Sequence, residues 1–218
     1  NSSEVFAKIA VKHENPKGVG VFLKDATGLG LSSPPGLSGF AGARPKPSPI
    51  LSLFSFLYKK ENVGFTLQFD DAPSEPIEIA HAVSVPSSFP NINVSEPNIS
   101  NLYKGVQLIQ VSLEEIAWGR SGDKGNKANI GIIARHPNLI PYIWDTFSEE
   151  KIVEIFSHFL ENDNIDRHYL PGISGVNFVL HDVLGGGGTT SLRNDPQGKG
   201  YAQVLLSCKI KVPKNLLV

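Results

Sequence analysis

A chain of 218 residues with 40% apolar and 19% charged side chains has the composition of an ordinary globular protein and the length for one large domain or two modest ones. Its formal net charge of −1 argues against a dedicated nucleic-acid binder, which needs a basic surface to displace counterions. No apolar run approaches the ~18 residues of a membrane span, so neither nucleic acid nor membrane is an expected partner. Cys208 is alone, which forbids an internal disulfide and points to a reducing, cytoplasmic setting. In that setting the sequons at Asn1, Asn93 and Asn98 are chance matches. The absence of Met is what a piece of a longer protein would show.

The elements follow in chain order. Residues 4–13, "EVFAKIAVKH", alternate Val5, Ala7, Ile9 and Val11 with polar neighbours and predict a half-buried strand. Asn15 as N-cap and Pro16 at the first helical position predict a helix over "NPKGVGVFLKDA". Residues 28–49 are dense in proline and glycine, which excludes helix or central strand. With Leu37 and Phe40 among them, they read as an ordered loop. "PILSLFSFLYKK" and "NVGFTLQFD" predict two strands joined by a polar turn at Lys59 to Asn62, and "PIEIAHAV" is a third, weaker strand. The Pro/Ser/Asn-rich residues 84–103 form a linker. The domain reading is therefore 1–83, linker 84–103, and 104–218.

Beyond the linker, residues 105–113 and 128–135 predict strands, the second buried on both faces. Residues 148–162 predict a helix capped by Ser148 or Thr146, with Glu149 and Glu150 in its first turn. Its apolar stripe is Ile152, Ile155, Phe156, Phe159 and Leu160. "DRHYL" is a short strand, "ISGVNFVLHDVL" leans to helix, and "YAQVLLSCKIKV" is a final strand. The resulting order, ββαβαβ, implies an α+β sandwich with helices on one face of a mainly antiparallel sheet.

Two segments concentrate glycine with charge, "GRSGDKGN" (119–126) and "GGGGTTSLRNDPQGKG" (185–200). Both fall between predicted elements, where backbone amides are free to face a ligand. Neither has the spacing of a nucleotide P-loop or a dinucleotide fingerprint. Glycine-rich turns make anion-binding concavities and arginine pairs bidentately with carboxylate or phosphate. Arg120, Lys124, Arg193 and Lys199 could therefore neutralise one or two anionic groups. The alternative is that Asp123 caps its own turn, Asp195 starts a β-turn at "NDPQG", and the basic side chains are solvated. No histidine pair has metal-ligand spacing, so no metal or other cofactor is expected. His181 is the only candidate general base, and Ser121 and Ser191 lack a nucleophile-elbow context.

The strings "RSGDKGNKANIGIIAR", "YLPGISGVNFVLHDVLGGGG" and "SLRNDPQGKGYAQVLL" resemble the carboxy-terminal domain of the acyclic terpene utilisation protein family, AtuA. "GFAGARPKPSPILSLFSFL" resembles the end of that family's larger amino-terminal domain. The resemblance covers about residues 4–60 and 104–212. It implies a ferredoxin-like fold for 104–218, preceded by the end of a larger α/β domain that extends before residue 1. It also implies a place in the catabolism of acyclic terpenes and branched acyl-CoA thioesters. The expected partner is a small anionic molecule or CoA thioester. Arg120, Ser121, Arg193 and Lys199 would hold it, with Asn126 and Asn177 donating hydrogen bonds. Asp123 and Lys124 would be the catalytic pair, Asp123 orienting Lys124 or moving a proton. A shared site would place the Arg120 and Arg193 guanidinium groups within about 10 Å, close enough to act together. The competing reading is an assembly module, in which the carboxy-terminal domain forms a homo-oligomer and "NFVLHDVLGGGG" contributes to the interface.

Overall fold

Asn15 starts the first element. Its side-chain oxygen accepts from Lys17 N at 2.9 Å and Pro16 takes the first helical position, so α1 runs over Pro16–Ala26 as the sequence predicts. The computed structural model describes residues 7–32, 35–36, 45–77 and 94–217. The chain forms two compact units, one of residues 1–52 with 96–218 and one of residues 53–95.

In the amino-terminal part of the larger unit, the strand expected at 4–13 is absent where it is described. Residues 7–13 are irregular and exposed, with no partner strand among the described residues. A single helical turn, α2 (Leu29–Ser32), opens the Pro/Gly-rich stretch ahead of its prolines, so that stretch is not wholly loop. Leu37 and Phe40 lie outside the described residues.

The smaller unit has a 3-10 turn at Lys60–Asn62, then β1 (Phe65–Leu67) paired antiparallel with β2 (Glu75–Ile77). The hairpin thus joins the second and third expected strands. The first, over 49–60, is irregular up to Lys59. Alternation gives a strand only where a ladder and a covering layer exist, and here Phe54 is 83% exposed. Residues 78–83 of the third segment, and 84–93 of the linker, lie outside the described residues.

The remainder of the larger unit follows β3 (Leu108–Ser112), α3 (Leu113–Ile116), β4 (Ala117–Lys124), β5 (Lys127–Ala134), α4 (Ile140–Thr146), α5 (Glu149–Phe156), β6 (Ile165–Leu170), β7 (Gly175–Leu180), α6 (Tyr201–Leu206) and β8 (Lys209–Pro213). β4-β5-β7-β6 form one antiparallel sheet, and β3 pairs antiparallel with β8. The architecture is α+β with antiparallel sheets. The order written from sequence, ββαβαβ, is corrected to this longer series by three segments.

First, 119–124 is strand. Only Gly125 and Asn126 turn, with Gly125 at φ 65°, the positive angle a tight primed hairpin requires at its first central residue. As the edge strand paired with β5 alone, 119–124 has alternate backbone groups tied up in a ladder and does not form a glycine-rich concavity. Second, "GVNFVL" is a strand with Val176, Phe178 and Leu180 buried and alternating with Asn177 and Val179, the period of a sheet. Third, "YAQVLL" is a helix burying Tyr201, Ala202 and Leu205, and the last strand begins at Lys209. The sequence reading also missed α4. Ser148 does cap α5, accepting from Lys151 N at 3.2 Å, although that helix ends at Phe156.

One core joins these elements. Ala128, Ile130 and Ile132 of β5, Val176, Phe178 and Leu180 of β7, Ile152 and Phe156 of α5, and Ala202 and Leu205 of α6 are buried together. β5 thus buries one face, not both: Ile133 and Lys127 are exposed on the other. α6 packs chiefly on β4 and α5 on β6, covering the face that carries Ser121, Ile130 and Phe178. Arg167 reaches from this face to the carbonyls of Trp144 and Phe147, at 2.7 and 3.2 Å, and lies over the Trp144 ring. It thereby satisfies the exposed carboxyl end of α4.

Candidate functional site

The side chains of a strand alternate faces, and the ladder register assigns each of them. Arg120 lies opposite Gly131, Gly131 opposite Asn177, and Asn177 opposite His168. That row crosses the open face of the four-stranded sheet. On one side of it come Gly122, Asn129, Val179 and Asp166. On the other come Trp118, Ile133, Gly175 and Leu170. Lys124 and Lys127 pair at the end nearest the hairpin turn. The face is therefore divided, cationic and amidic toward the turn and apolar away from it.

Two shallow cavities mark the division. One of about 320 Å3 is lined by Arg120, Ser121, Gly122, Asp123, Lys124, Asn129, Gly131 and Lys199. The other, about 230 Å3, is lined by Trp118, Gly119, Arg120, Gly131, Ile132, Ile133, Leu170, Ile173 and Val176. Arg120 and Gly131 border both. Trp118 and Ile173 are each 54% exposed, more than a core residue would be.

Arg120 is exposed and, among the described residues, its guanidinium makes no hydrogen bond or ion pair. Asn129 Nδ2 donates to Asn177 Oδ1 at 2.5 Å. Whichever amide donates, one NH2 and one carbonyl oxygen are left without a partner among the described residues. Lys199 Nζ stands 3.7 Å from the Asp123 carboxylate, while Lys124 Nζ donates to the Asp123 backbone carbonyl at 3.3 Å. Asp123 thus orients Lys199 and not Lys124. On the far strands His181 Nε2 lies 2.7 Å from Asp166 Oδ2, and this hydrogen bond holds the Asp166 carboxyl below its usual range.

The other sequence-derived candidates point elsewhere. Ser121 faces the helices: its hydroxyl donates to Lys199 O at 3.1 Å and accepts from Ala202 N at 2.9 Å. Asn126 is a clasp. Its Oδ1 accepts from Gly186 N at 2.7 Å, its Nδ2 donates to Asp182 at 3.2 Å, and its backbone oxygen accepts from Val183 N at 3.1 Å. Arg193 donates from Nη2 to Phe159 O at 2.7 Å and lies over the Phe159 ring. Phe159 stacks on Tyr201 of α6, so Arg193 belongs to the helical side of the sheet and Arg120 to the open side. Their expected convergence is not found. Asp195 accepts from Lys199 N and Gly200 N at 2.9 and 2.7 Å, the turn-forming alternative.

Trp118, Asn129, Gly131, Ile173 and His168 were not singled out from sequence. For three of them the signal was there in the hairpin: once Gly125–Asn126 is taken as the turn, Trp118, Asn129 and Gly131 share a face with Arg120. His168 of β6 and Ile173 of the turn after it join that face only through long-range pairing.

Among the described residues, no group of three or more His, Cys, Asp or Glu side chains is placed to hold a metal ion, and no helix is long and apolar enough to cross a membrane. No curated protein and no solved structure matches the chain. Residues 111–211, from β3 into β8, match the family model described as the AtuA ferredoxin-like domain. Residues 111–211 are therefore a ferredoxin-like domain of the AtuA family.

Proposed function

We propose that the open sheet face binds an amphipathic small anion, a branched acyl-CoA or the corresponding carboxylate, as part of its catabolism. The observation that carries this is the position of Arg120. An exposed, unpaired guanidinium stands where a polar cavity meets an apolar one. Guanidinium presents a planar fork that matches a carboxylate or phosphate, and each such charge-assisted bond is stronger than a neutral one. The row of Trp118, Ile133, Leu170 and Ile173 offers an acyl chain a surface, at about 0.8 kcal/mol per buried CH2.

In this reading Arg120, Lys124 and Asn177 contact the ligand. Lys199, held by Asp123, adds a third cation at the sheet edge, and Asp123 and Lys124 carry any proton transfer. Ser121, Asn126 and Arg193 act by holding the loops. Residues 1–83 enter as the end of the larger AtuA-type domain and 84–103 as a linker, supported by the "GFAGARPKPSPILSLFSFL" string and the Pro/Ser/Asn composition.

Calorimetric titration of the full chain with 3-methylbutyrate and its CoA thioester tests this. Arg120→Ala should weaken binding about 10- to 100-fold, the loss of one or two charge-assisted bonds, with the melting temperature unchanged. Equal affinity in the variant overturns the reading. A second reading, self-association through this face, is favoured by the exposure of Trp118 and Ile173. A change in sizing-column position on Trp118→Ser would support it.

A further inference from the structure

We infer that Gly131 is the specificity-determining position of the open face, its missing side chain leaving the floor on which a flat carboxyl or thioester group lies. The inference rests on the ligand-binding reading above. Gly131 sits in β5, which is paired on both sides, to Arg120 of β4 and to Asn177 of β7. Glycine inside a strand weakens it, because it costs backbone entropy and packs nothing. Such a glycine has a structural reason, or it marks a place where another group approaches the backbone closely.

The structural reasons are absent here. Gly131 is not among the positive-φ glycines. The register of β5 runs unbroken through it, from Lys127 to Ala134 against β4 and from Ala128 to Ile133 against β7, so it makes no bulge. No neighbour among the described residues needs the space. A Cβ built on Gly131 comes no nearer than 3.9 Å to Arg120 O and Asn177 Oδ1, which is ordinary contact. Gly175, on the same face, differs: a Cβ there would meet Ile132 O at 3.0 Å and the Ile173 side chain at 3.3 Å. Gly175 is explained by packing, and Gly131 is not.

What lies over Gly131 is the junction of the two cavities, bordered by Arg120 and Gly131 in both. A group resting there has the guanidinium on one side and the Asn129–Asn177 amide pair on the other. Its apolar continuation lies toward Trp118 and Ile173. Those neighbours fit a planar carbonyl or carboxylate group with a short branched chain. A methyl group on residue 131 would lift that plane off the sheet and away from both polar neighbours.

Wild type, Gly131→Ala, Gly131→Val and Arg120→Ala of the full chain are titrated with 3-methylbutyrate and its CoA thioester, and each is melted. The expected result is at least tenfold weaker binding in Gly131→Ala, weaker still in Gly131→Val, with the Gly131→Ala melting temperature unchanged or raised. If Arg120→Ala weakens binding while Gly131→Ala stays within twofold of wild type, this inference fails and the binding reading stands. A clear fall in melting temperature for Gly131→Ala also overturns it, by showing that the glycine serves the fold. If wild type binds neither probe, the binding reading falls and takes this inference with it.

Discussion

Replacing Gly187 by alanine should unlock the two glycine-rich segments from each other. Gly187 has φ 66°, and a Cβ there would overlap Gly125 O and stand 2.8 Å from Gly125 C. The left-handed backbone alone costs an alanine roughly 1–2 kcal/mol. Relieving the overlap requires the 185–188 loop to withdraw from the hairpin turn. That withdrawal stretches Gly186 N to Asn126 Oδ1, now 2.7 Å, and Val183 N to Asn126 O, now 3.1 Å, at roughly 1 kcal/mol each. The sum is about 3–4 kcal/mol. Gly188→Ala is the matched control, since it has φ 49° and, among the described residues, nothing within 4 Å of its Cβ. It pays the backbone cost only. Trp118 and Trp144 are the only tryptophans, and both lie in the unit under test, so urea unfolding followed by tryptophan fluorescence reports that unit alone. Gly187→Ala should lose about 2 kcal/mol more than Gly188→Ala. Equal losses would refute the clasp.

Two further perturbations test the frame of the site. Ser121→Ala removes the hydroxyl bridging Lys199 O and Ala202 N and leaves a buried N–H unpaired, at about 2 kcal/mol in the same urea assay. Probe affinity should change less than threefold, and a larger change with unaltered stability would restore Ser121 as a ligand group. Tyr103 is pushed up to about 12, by partial burial first and then by its hydrogen bond to Asp145 at 2.6 Å. Its folded value is raised above the ordinary 10.0, so its contribution is fully present below pH 10 and is lost as pH rises from 10 toward 12. Because the ring is 39% exposed, the effect is discounted to about 1 kcal/mol or less. Tyr103→Phe should flatten the alkaline fall in urea stability, and superimposable pH profiles would contradict the assignment.

What the sequence made legible is local. Asn15 and Ser148 announce their helices because a cap is made within three residues of itself. What it hid depends on partners far along the chain. "GRSGDKG" looks like loop because two of its strand positions are glycine and three are charged, and only β5 makes it a strand. "YAQVLL" and "ILSLFSFLY" are both apolar, yet one packs as a helix and the other is exposed coil, according to whether a surface is there to receive it. The site divides the same way. Arg120, Asp123 and Lys124 could be named as chemistry from residue type alone. That Ser121 turns inward while Arg120 turns outward follows from parity, and parity is fixed only by a register. A slip of one residue would have exchanged their roles.

Electrostatics favours the proposed ligand binding over the proposed self-association. Among the described residues the open face carries Arg120, Lys124 and Lys127 against the single carboxylate of Asp166, which already meets His181. A two-fold contact is self-complementary, placing each patch against its own copy. Such a contact would bring these cations toward one another where its axis passes near the hairpin-turn end of the face. Burying unpaired like charges costs several kcal/mol, more than the exposed apolar row at the far end would easily return. An anion bound at Arg120 would lower that cost by neutralising one of the three cations. Its flat head over Gly131 would also cover the amide groups that Asn129 and Asn177 leave without a partner among the described residues, so that Lys124 and Lys127 remain the charges of the face. In the proposed reading the bound anion favours association of two chains through this face, while binding of the anion does not require association.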